Sequence, residues 1–374
     1  MAKRGHGEGS IYRDKDGSWR AALTLGPESG GGRKYFRGAT RQEVQQKLAA
    51  AKRALEDGLP QLEGRQTVEQ YLRSWLLSIK ATMEFSTWQR HEEYVRLHID
   101  PFLGKTRMAQ VTPQQVQALY ADRLASGLSS TTVHHLHATL HKAFKDAERL
   151  RVVVRNVTKL VNVPRVAETE IHPLTAEEAR QFLHTAPGER PYALYALALA
   201  SGMRVSELLG LQWSEVDFDN YLIRVRWQLR RDEGRWVWKQ PKTKRSRRQI
   251  ALAGSTIEAL RRHKETQDAE RAYLGAAWED HELVFCTQRG RPLSARNIYR
   301  RFKQLLRHGA LPNVRFHDLR HTAATLLLAG KVNPKVVSEM LGHASVSITL
   351  DIYSHVIPDM QQDAAATLEL ALYQ

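Results

Sequence analysis

The chain has 374 residues, beyond the size at which one hydrophobic core keeps growing, so two or three domains are expected. Hydrophobic residues make up 42% and charged residues 26%; that balance can bury a sizeable core, and the absence of any apolar run of bilayer length argues against a membrane protein. Against 40 Asp and Glu stand 56 Lys and Arg, a formal charge of +16, which is the electrostatic footprint of a polyanion binder.

Residues 1–7 are basic and lack the apolar segment of a secretory signal, and the single cysteine, Cys286, has no internal partner. Both features point to a reducing cytoplasm. Gly5, Gly7 and Gly9 are spaced like a phosphate loop, but no strand precedes them and no helix follows, so they read as a tail. In Ser18–Leu25 the apolar Trp19, Ala21, Leu23 and Leu25 alternate with Arg20, Ala22 and Thr24, the period of a strand with one buried face. Lys15-Asp16-Gly17 supplies the turn before it and the glycine-rich stretch 26–32 a longer loop after it, leading to a strand over Arg33–Arg37. Thr40 with Glu43 predicts a reciprocal capping box and a helix to about Asp57.

Residues 65–165 are expected to be all-helical. Thr67 with Gln70, Ser86 with Gln89, Thr112-Pro113 with Gln115, and Ser129 or Ser130 each set a capping residue before an amphipathic run, which predicts four helices. On the last, Val133, Leu136, Leu140, Phe144 and Ala147 form an apolar stripe facing a bundle core. His134, His137 and His141 lie on an adjacent face; with no Cys or carboxylate to complete a ligand set, they read as a DNA-facing or solvated face rather than a metal site. Residues 156–171 read as an exposed linker.

From Leu174 the pattern becomes mixed. Thr175 and Glu178 cap a helix, Pro191–Gly202 is nearly all apolar, and Tyr221–Leu252 carries strand-like runs broken at Asp232-Glu233-Gly234 and at Pro241. Arg224 to Arg248 holds 11 basic residues against Asp232 and Glu233, and the interleaved Trp227, Trp236 and Trp238 favour a nucleic-acid surface over a merely solvated face. Helices dominate thereafter, and Cys286 reads as a small core residue.

Three segments concentrate groups suited to handling a phosphodiester: Ser201-Gly202-Met203-Arg204-Val205-Ser206-Glu207; Arg315-Phe316-His317-Asp318-Leu319-Arg320-His321; and Leu341-Gly342-His343, with Asp351-Ile352-Tyr353 ten residues on. Singly, each has an ordinary structural reading as a salt bridge, a cap or a core tyrosine. Together, in this order, they resemble the tyrosine recombinases of the phage integrase type, whose signature is an Arg, a hairpin Lys, a His-x-x-Arg, a Leu-Gly-His and a Tyr. On that resemblance Arg204, Lys244, His317, Arg320, His343 and Tyr353 are the catalytic residues; Lys244, rather than Lys242, matches the Thr-Lys pattern before the Arg-rich return strand. The family's proline after that strand is absent, since Ile250 precedes Ala251-Leu252.

The resemblance covers the whole chain and implies a multidomain α+β fold. Residues 1–60 correspond to a three-stranded arm-type DNA-binding domain with a helix, 65–165 to a helical core-binding domain, and 172–374 to a mixed, mainly α catalytic domain with a small antiparallel sheet. It implies double-stranded attachment sites of core and arm type, a homotetramer on DNA, DNA-bending and excision accessory proteins, and no cofactor or metal. The chemistry agrees with it. Attack on a phosphodiester loads negative charge onto the non-bridging oxygens, which Arg204 and Arg320 can each meet with a planar fork. His343 adds a donor, His317 is the candidate base or orienter for Tyr353, Lys244 the acid for the leaving 5′-hydroxyl, and Glu207 an orienter of Arg204. Three rivals are weighed. A metal nuclease would use Asp217 with Asp219, Glu279 with Asp280, or His317 with His321, the last disfavoured by the charge of Arg320; a non-catalytic regulator leaves Tyr353 unexplained; and a type IB topoisomerase has a similar site.

Overall fold

A computed structural model describes residues 9–24, 33–56, 66–166, 172–186, 188, 190–240, 246–353 and 368–372. The chain divides into two compact units, Met1–Glu168 and Thr169–Gln374.

In the first unit, β1 (Gly9–Arg13), β2 (Trp19–Thr24) and β3 (Arg33–Gly38) form an antiparallel sheet in the order β1-β2-β3. The turn joining β1 to β2 is closed by the Gly17 amide on the Asp14 carbonyl, 3.0 Å, with Gly17 at φ 81. Ala21 and Leu23 bury one face of the sheet beneath Val44, Leu48 and Ala51 of α1 (Arg41–Glu56). Thr40 accepts from the Glu43 amide as predicted, but the Glu43 carboxylate takes the Ala39 amide, so the return arm of the box closes one residue upstream.

A helical bundle with its own core follows. It consists of α2 (Val68–Lys80), α3 (Phe85–Tyr94) continuing through the wide turn Val95–Ile99 into α4 (Asp100–Leu103), α5 (Pro113–Ala125) and α6 (Ser130–Arg149). Thr67 with Gln70 and Thr112 with Gln115 close reciprocal boxes, and Ser129 caps α6. Helix α3 instead begins after Glu84, which makes no side-chain cap, and Ser86 lies inside its first turn. The predicted stripe of α6 is wholly buried, and the Tyr71 hydroxyl and Trp75 indole of α2 donate to the Ala143 carbonyl and Asp146 carboxylate of α6.

The stretch 156–162 is not an exposed linker: Asn156 caps a short turn over Val157–Leu160, Thr158 is buried against His141, and Asn162 is bonded both ways to Gln117, while 167–171 lie outside the described residues. Nor do the histidines form one outward face, because His137 and His141 turn to Tyr120 and Thr158 while His134 stays exposed. The local reason is the same in both cases, since buried hydroxyls need partners and imidazole nitrogens supply them.

The second unit begins with α7 (Ala176–Thr185), capped by Thr175 and Glu178, and the buried α8 (Tyr192–Ser201). After α9 (Val205–Leu209), β4 (Val216–Asp217), β5 (Leu222–Val225) and β8 (Arg248–Ala251) form one antiparallel sheet, and β6 (Gln228–Asp232) and β7 (Arg235–Lys239) pair as a hairpin turning through Glu233 and Gly234, both at positive φ. Helices α10 (Gly254–Leu274), α11 (Ala295–His308), α12 (Asp318–Ala329), α13 (Pro334–Leu341) and α14 (Val346–Tyr353) complete it. The core is built around Phe182, Tyr195, Phe302 and Phe316, whose neighbouring ring centres lie 5.2 to 6.3 Å apart. Trp236 and Trp238, both half-buried, pack against this core. Cys286 is buried, its Sγ accepting from Gln267 at 3.0 Å.

The architecture is thus multidomain α+β, with its sheets small and antiparallel. Among the described residues no helix is long and apolar enough to cross a membrane. Lys242, Lys244, the loop over 26–32 and most of the C-terminal tail lie outside the described residues.

Candidate active site

Helix α8 ends because Gly202 takes a left-handed conformation, φ 60, at its C-terminus. A Cβ there would stand 2.4 Å from Cδ2 of Leu341. This turn sets Arg204 at the head of α9, where its backbone amide and its Nη1 both donate to Glu207 at 3.0 Å. Glu207 is fully buried and also receives Nη2 and Nη1 of Arg248 at 2.9 and 3.3 Å. Arg248, only 5% exposed in its side chain, is fixed further by Nε on the Met340 carbonyl. Burial works to raise the pKa of Glu207, but the charge and hydrogen bonds of Arg248, then Arg204, outweigh it, so the carboxylate titrates below the ordinary Glu range. One buried anion therefore clamps two arginines that lie 44 positions apart on a helix head and a strand.

Helix α12 carries the next group. Asp318 accepts the Arg315 amide at 2.7 Å and its guanidinium at 2.9 Å, which closes the turn that places His317 at the helix head. Arg320 is 3% exposed; its Nη1 donates to the Gly202 carbonyl at 2.8 Å, while its Nη2 is buried with no hydrogen-bond partner among the described residues. Helix α13 stops at Gly342, again left-handed at φ 69, and the chain turns out His343, whose Nδ1 lies 2.8 Å from the Thr349 hydroxyl. Helix α14 then delivers Tyr353, buried to 2% exposure, with its hydroxyl 2.7 Å from Nδ1 of His321.

These groups feel one another. Burial, then Arg204 and Arg248, pull Arg320 down to about 9, which still leaves it cationic at neutral pH. Burial followed by neighbouring cations takes His343 to about 4, and burial followed by His317 takes His321 to about 4, so both rings rest neutral. His317 is lowered too, by burial and then by Arg320 and Arg204. Tyr353 is pushed up to about 12 by burial, with Arg320 opposing the shift, so its phenol rests protonated. The arrangement is a cluster of fixed guanidiniums and neutral imidazoles around a protonated phenol, with more cations than carboxylates and suited to receive an anion.

Of the residues singled out from sequence, Arg204, His317, Arg320, His343 and Tyr353 come together, while Lys244 lies outside the described residues. Two participants were missed. In sequence Arg248 belongs to the basic run of a nucleic-acid surface, yet in the fold it faces Glu207. Sequence spacing offers His321 only as half of a metal pair with His317, four residues away, yet its Nδ1 lies 2.7 Å from the hydroxyl of Tyr353. Three of the four acids of the nuclease reading are engaged otherwise: Asp217 with Asn220 and Arg224, Glu279 with Arg291, Asp280 with Arg271. Among the described residues no group of three or more His, Cys, Asp or Glu could hold a metal.

Residues 172–359 match the phage integrase family, and residues 67–124 match the phage integrase N-terminal SAM-like domain. A tyrosine recombinase XerC-like protein of Caldanaerobacter subterraneus subsp. tengcongensis is 30% identical over 94% of this chain and 95% of its own. An integrase of Streptomyces ambofaciens is 31% identical over 99% and 98%. Among solved structures, the Tn1549 transposon integrase in complex with transposon right end DNA superposes with a TM-score of 0.69 at 24% identity, covering 82% of this chain and all of that one. A lambda integrase tetramer bound to a Holliday junction gives 0.59 at 19% identity over 90% and 96%.

Proposed function

The chain belongs to the phage integrase family and is a tyrosine-type site-specific recombinase, and we propose that Tyr353 is its nucleophile, opening a DNA strand to a 3′-phosphotyrosine and a free 5′-hydroxyl. Attack forms a bond from the phenolic oxygen to phosphorus and breaks the bond to the 5′-oxygen. Arg204 and Arg320 hold the non-bridging oxygens as charge builds on them, and His343 and His317 add donors on the same face. Lys244 protonates the leaving 5′-oxygen. Glu207, by clamping Arg204 and Arg248 together, keeps the fork of Arg204 in place before the substrate arrives. The linkage to tyrosine conserves the bond energy, so a second strand's 5′-hydroxyl reverses the step without ATP.

The observation that carries this reading is Arg320: a cation almost wholly buried, one nitrogen spent on a backbone carbonyl and the other buried with no partner among the described residues, within electrostatic reach of Arg204 and Tyr353. A buried donor left unpaired costs roughly 1–3 kcal/mol, more when charged, and a phosphate oxygen would satisfy it.

The substrate on this reading is a pair of attachment sites of a phage or other mobile element. Residues 1–60 read arm sites, 65–165 grip the core site, and the basic balance of each region supplies phosphate contacts. Exchange of two duplexes needs four cleavages, hence a homotetramer on DNA, aided by bending and excision proteins. The exposed Leu368, Leu370 and Leu372 are the segment offered to a neighbouring subunit. The test is Tyr353→Phe: affinity for a core-site duplex stays while the denaturant-resistant protein–DNA adduct disappears. An adduct persisting in this variant would move the nucleophile to another of the twelve tyrosines.

A further inference from the structure

The hydroxyl of Tyr353 and Nδ1 of His321 lie 2.7 Å apart, both side chains are buried, and the two residues are 32 positions apart on α14 and α12. His317, the histidine expected to serve Tyr353, touches the ring of His321 edge-on, with centres 5.3 Å apart. We propose that His321 is the group that orients the Tyr353 hydroxyl and takes its proton during strand cleavage. This rests on the reading of Tyr353 as nucleophile and adds to it the path of one proton. As the phenolic oxygen bonds to phosphorus and the 5′-oxygen departs, the phenol proton passes to Nδ1 of His321; the 5′-oxygen takes its proton separately, from Lys244. In rejoining, His321 returns the proton to Tyr353.

The charges around His321 make this step depend on bound DNA. His317, Asp318 and Arg320 face it from its own helix, Arg315 from the turn before, His343 from the end of α13, and Tyr353 from α14. Of these only Asp318 favours a charged ring, and Asp318 is already engaged by Arg315. Without substrate the ring is therefore a neutral acceptor but a poor base. A phosphodiester seated against Arg204 and Arg320 brings the missing negative charge, raises the proton affinity of His321, and raises it most when the transition state is most anionic. The phenol is thus held protonated until a phosphate stands before it.

The experiment uses the full chain and a nicked duplex of the element's core site, with single-turnover cleavage read as covalent adduct. His321→Asn keeps a polar partner for the hydroxyl but cannot take the proton. It should bind DNA like the parent and cleave roughly 100- to 10,000-fold more slowly, and its rate should climb with pH where the parent's has levelled. A fluorinated tyrosine at position 353, whose phenol is more acidic, should recover most of this loss in His321→Asn and little in His317→Asn. Should His321→Asn fold poorly, His321→Ala with added imidazole supplies the missing ring, and imidazole should accelerate cleavage. Parental cleavage by His321→Asn, or the same fluorotyrosine factor in parent and variant, or recovery confined to His317→Asn, would overturn the proposal. Adduct formation by Tyr353→Phe would instead overturn the reading beneath it.

Discussion

Removing Glu207 should destabilise the second unit far more than removing an exposed carboxylate. In Glu207→Ala the buried Arg248 keeps the carbonyls of Met340 and Ser246 but loses its carboxylate partner, and Arg204 loses its clamp. Three guanidiniums, those of Arg204, Arg248 and Arg320, would then repel one another with no carboxylate among them. Breaking a buried pair by deleting one partner costs about 3–5 kcal/mol, because a charge is left uncompensated away from water. For a region of this size each kcal/mol lowers the melting temperature by about 2–4 °C, so the transition of this unit should fall by roughly 6–20 °C in calorimetry of the full chain. Glu207→Gln, which keeps an acceptor but no charge, should fall between parent and Ala. The double variant Glu207→Gln with Arg248→Met should recover part of the loss, since it removes both charges. The sign of the pH dependence follows from the depressed folded pKa of Glu207. Its stabilisation is full above the unfolded value of about 4.3 and is lost as pH falls through the lower folded value. Acid unfolding of Glu207→Gln should lack that component. If Glu207→Ala melted within 2 °C of the parent, with the assay resolving about 1 kcal/mol, the clamp would not be what fixes these arginines.

Gly202→Ala should cost about 1–2 kcal/mol from the left-handed backbone alone, and more from the approach to Leu341; because the Gly202 carbonyl anchors Arg320, cleavage should slow as well, and parental cleavage with parental stability would refute the anchoring role. Lys244→Ala should slow cleavage by roughly 100- to 10,000-fold with binding barely changed, and a substrate with sulfur in place of the bridging 5′-oxygen should restore most of the rate; restoration in Lys242→Ala instead would shift the hairpin register by two residues.

Much of this molecule is legible in its sequence because its signals are local. Thr67 with Gln70 and Thr175 with Glu178 fix helix starts through backbone groups three residues apart, and the stripe from Val133 to Ala147 fixes which face of α6 is buried. The failures share a cause, which is that partner choice across the fold carries no local signature. Asn156 looks like a loop residue until it is seen to cap a turn that seats Thr158 on His141. Trp236 and Trp238 alternate with cations, and only the tertiary fold decides that the rings turn inward.

The site divides along the same line. Gly202 ends the apolar α8 and Gly342 the amphipathic α13, each in a left-handed conformation, and Arg204 and His343 follow within two residues, a pattern of helix, glycine and functional group that spacing alone exposes. Arg248 and His321 look no different in sequence from a surface arginine and a helical neighbour of His317. What distinguishes them is burial next to one opposite or complementary group, Glu207 for the first and Tyr353 for the second. Desolvation makes such pairs consequential: an exposed arginine loses little when its partner is removed, whereas a buried one is left with an unpaired charge. The same burial that hides Arg248 and His321 from a reading of charge and spacing is therefore what lets the first set the position of Arg204 and the second govern the proton of Tyr353.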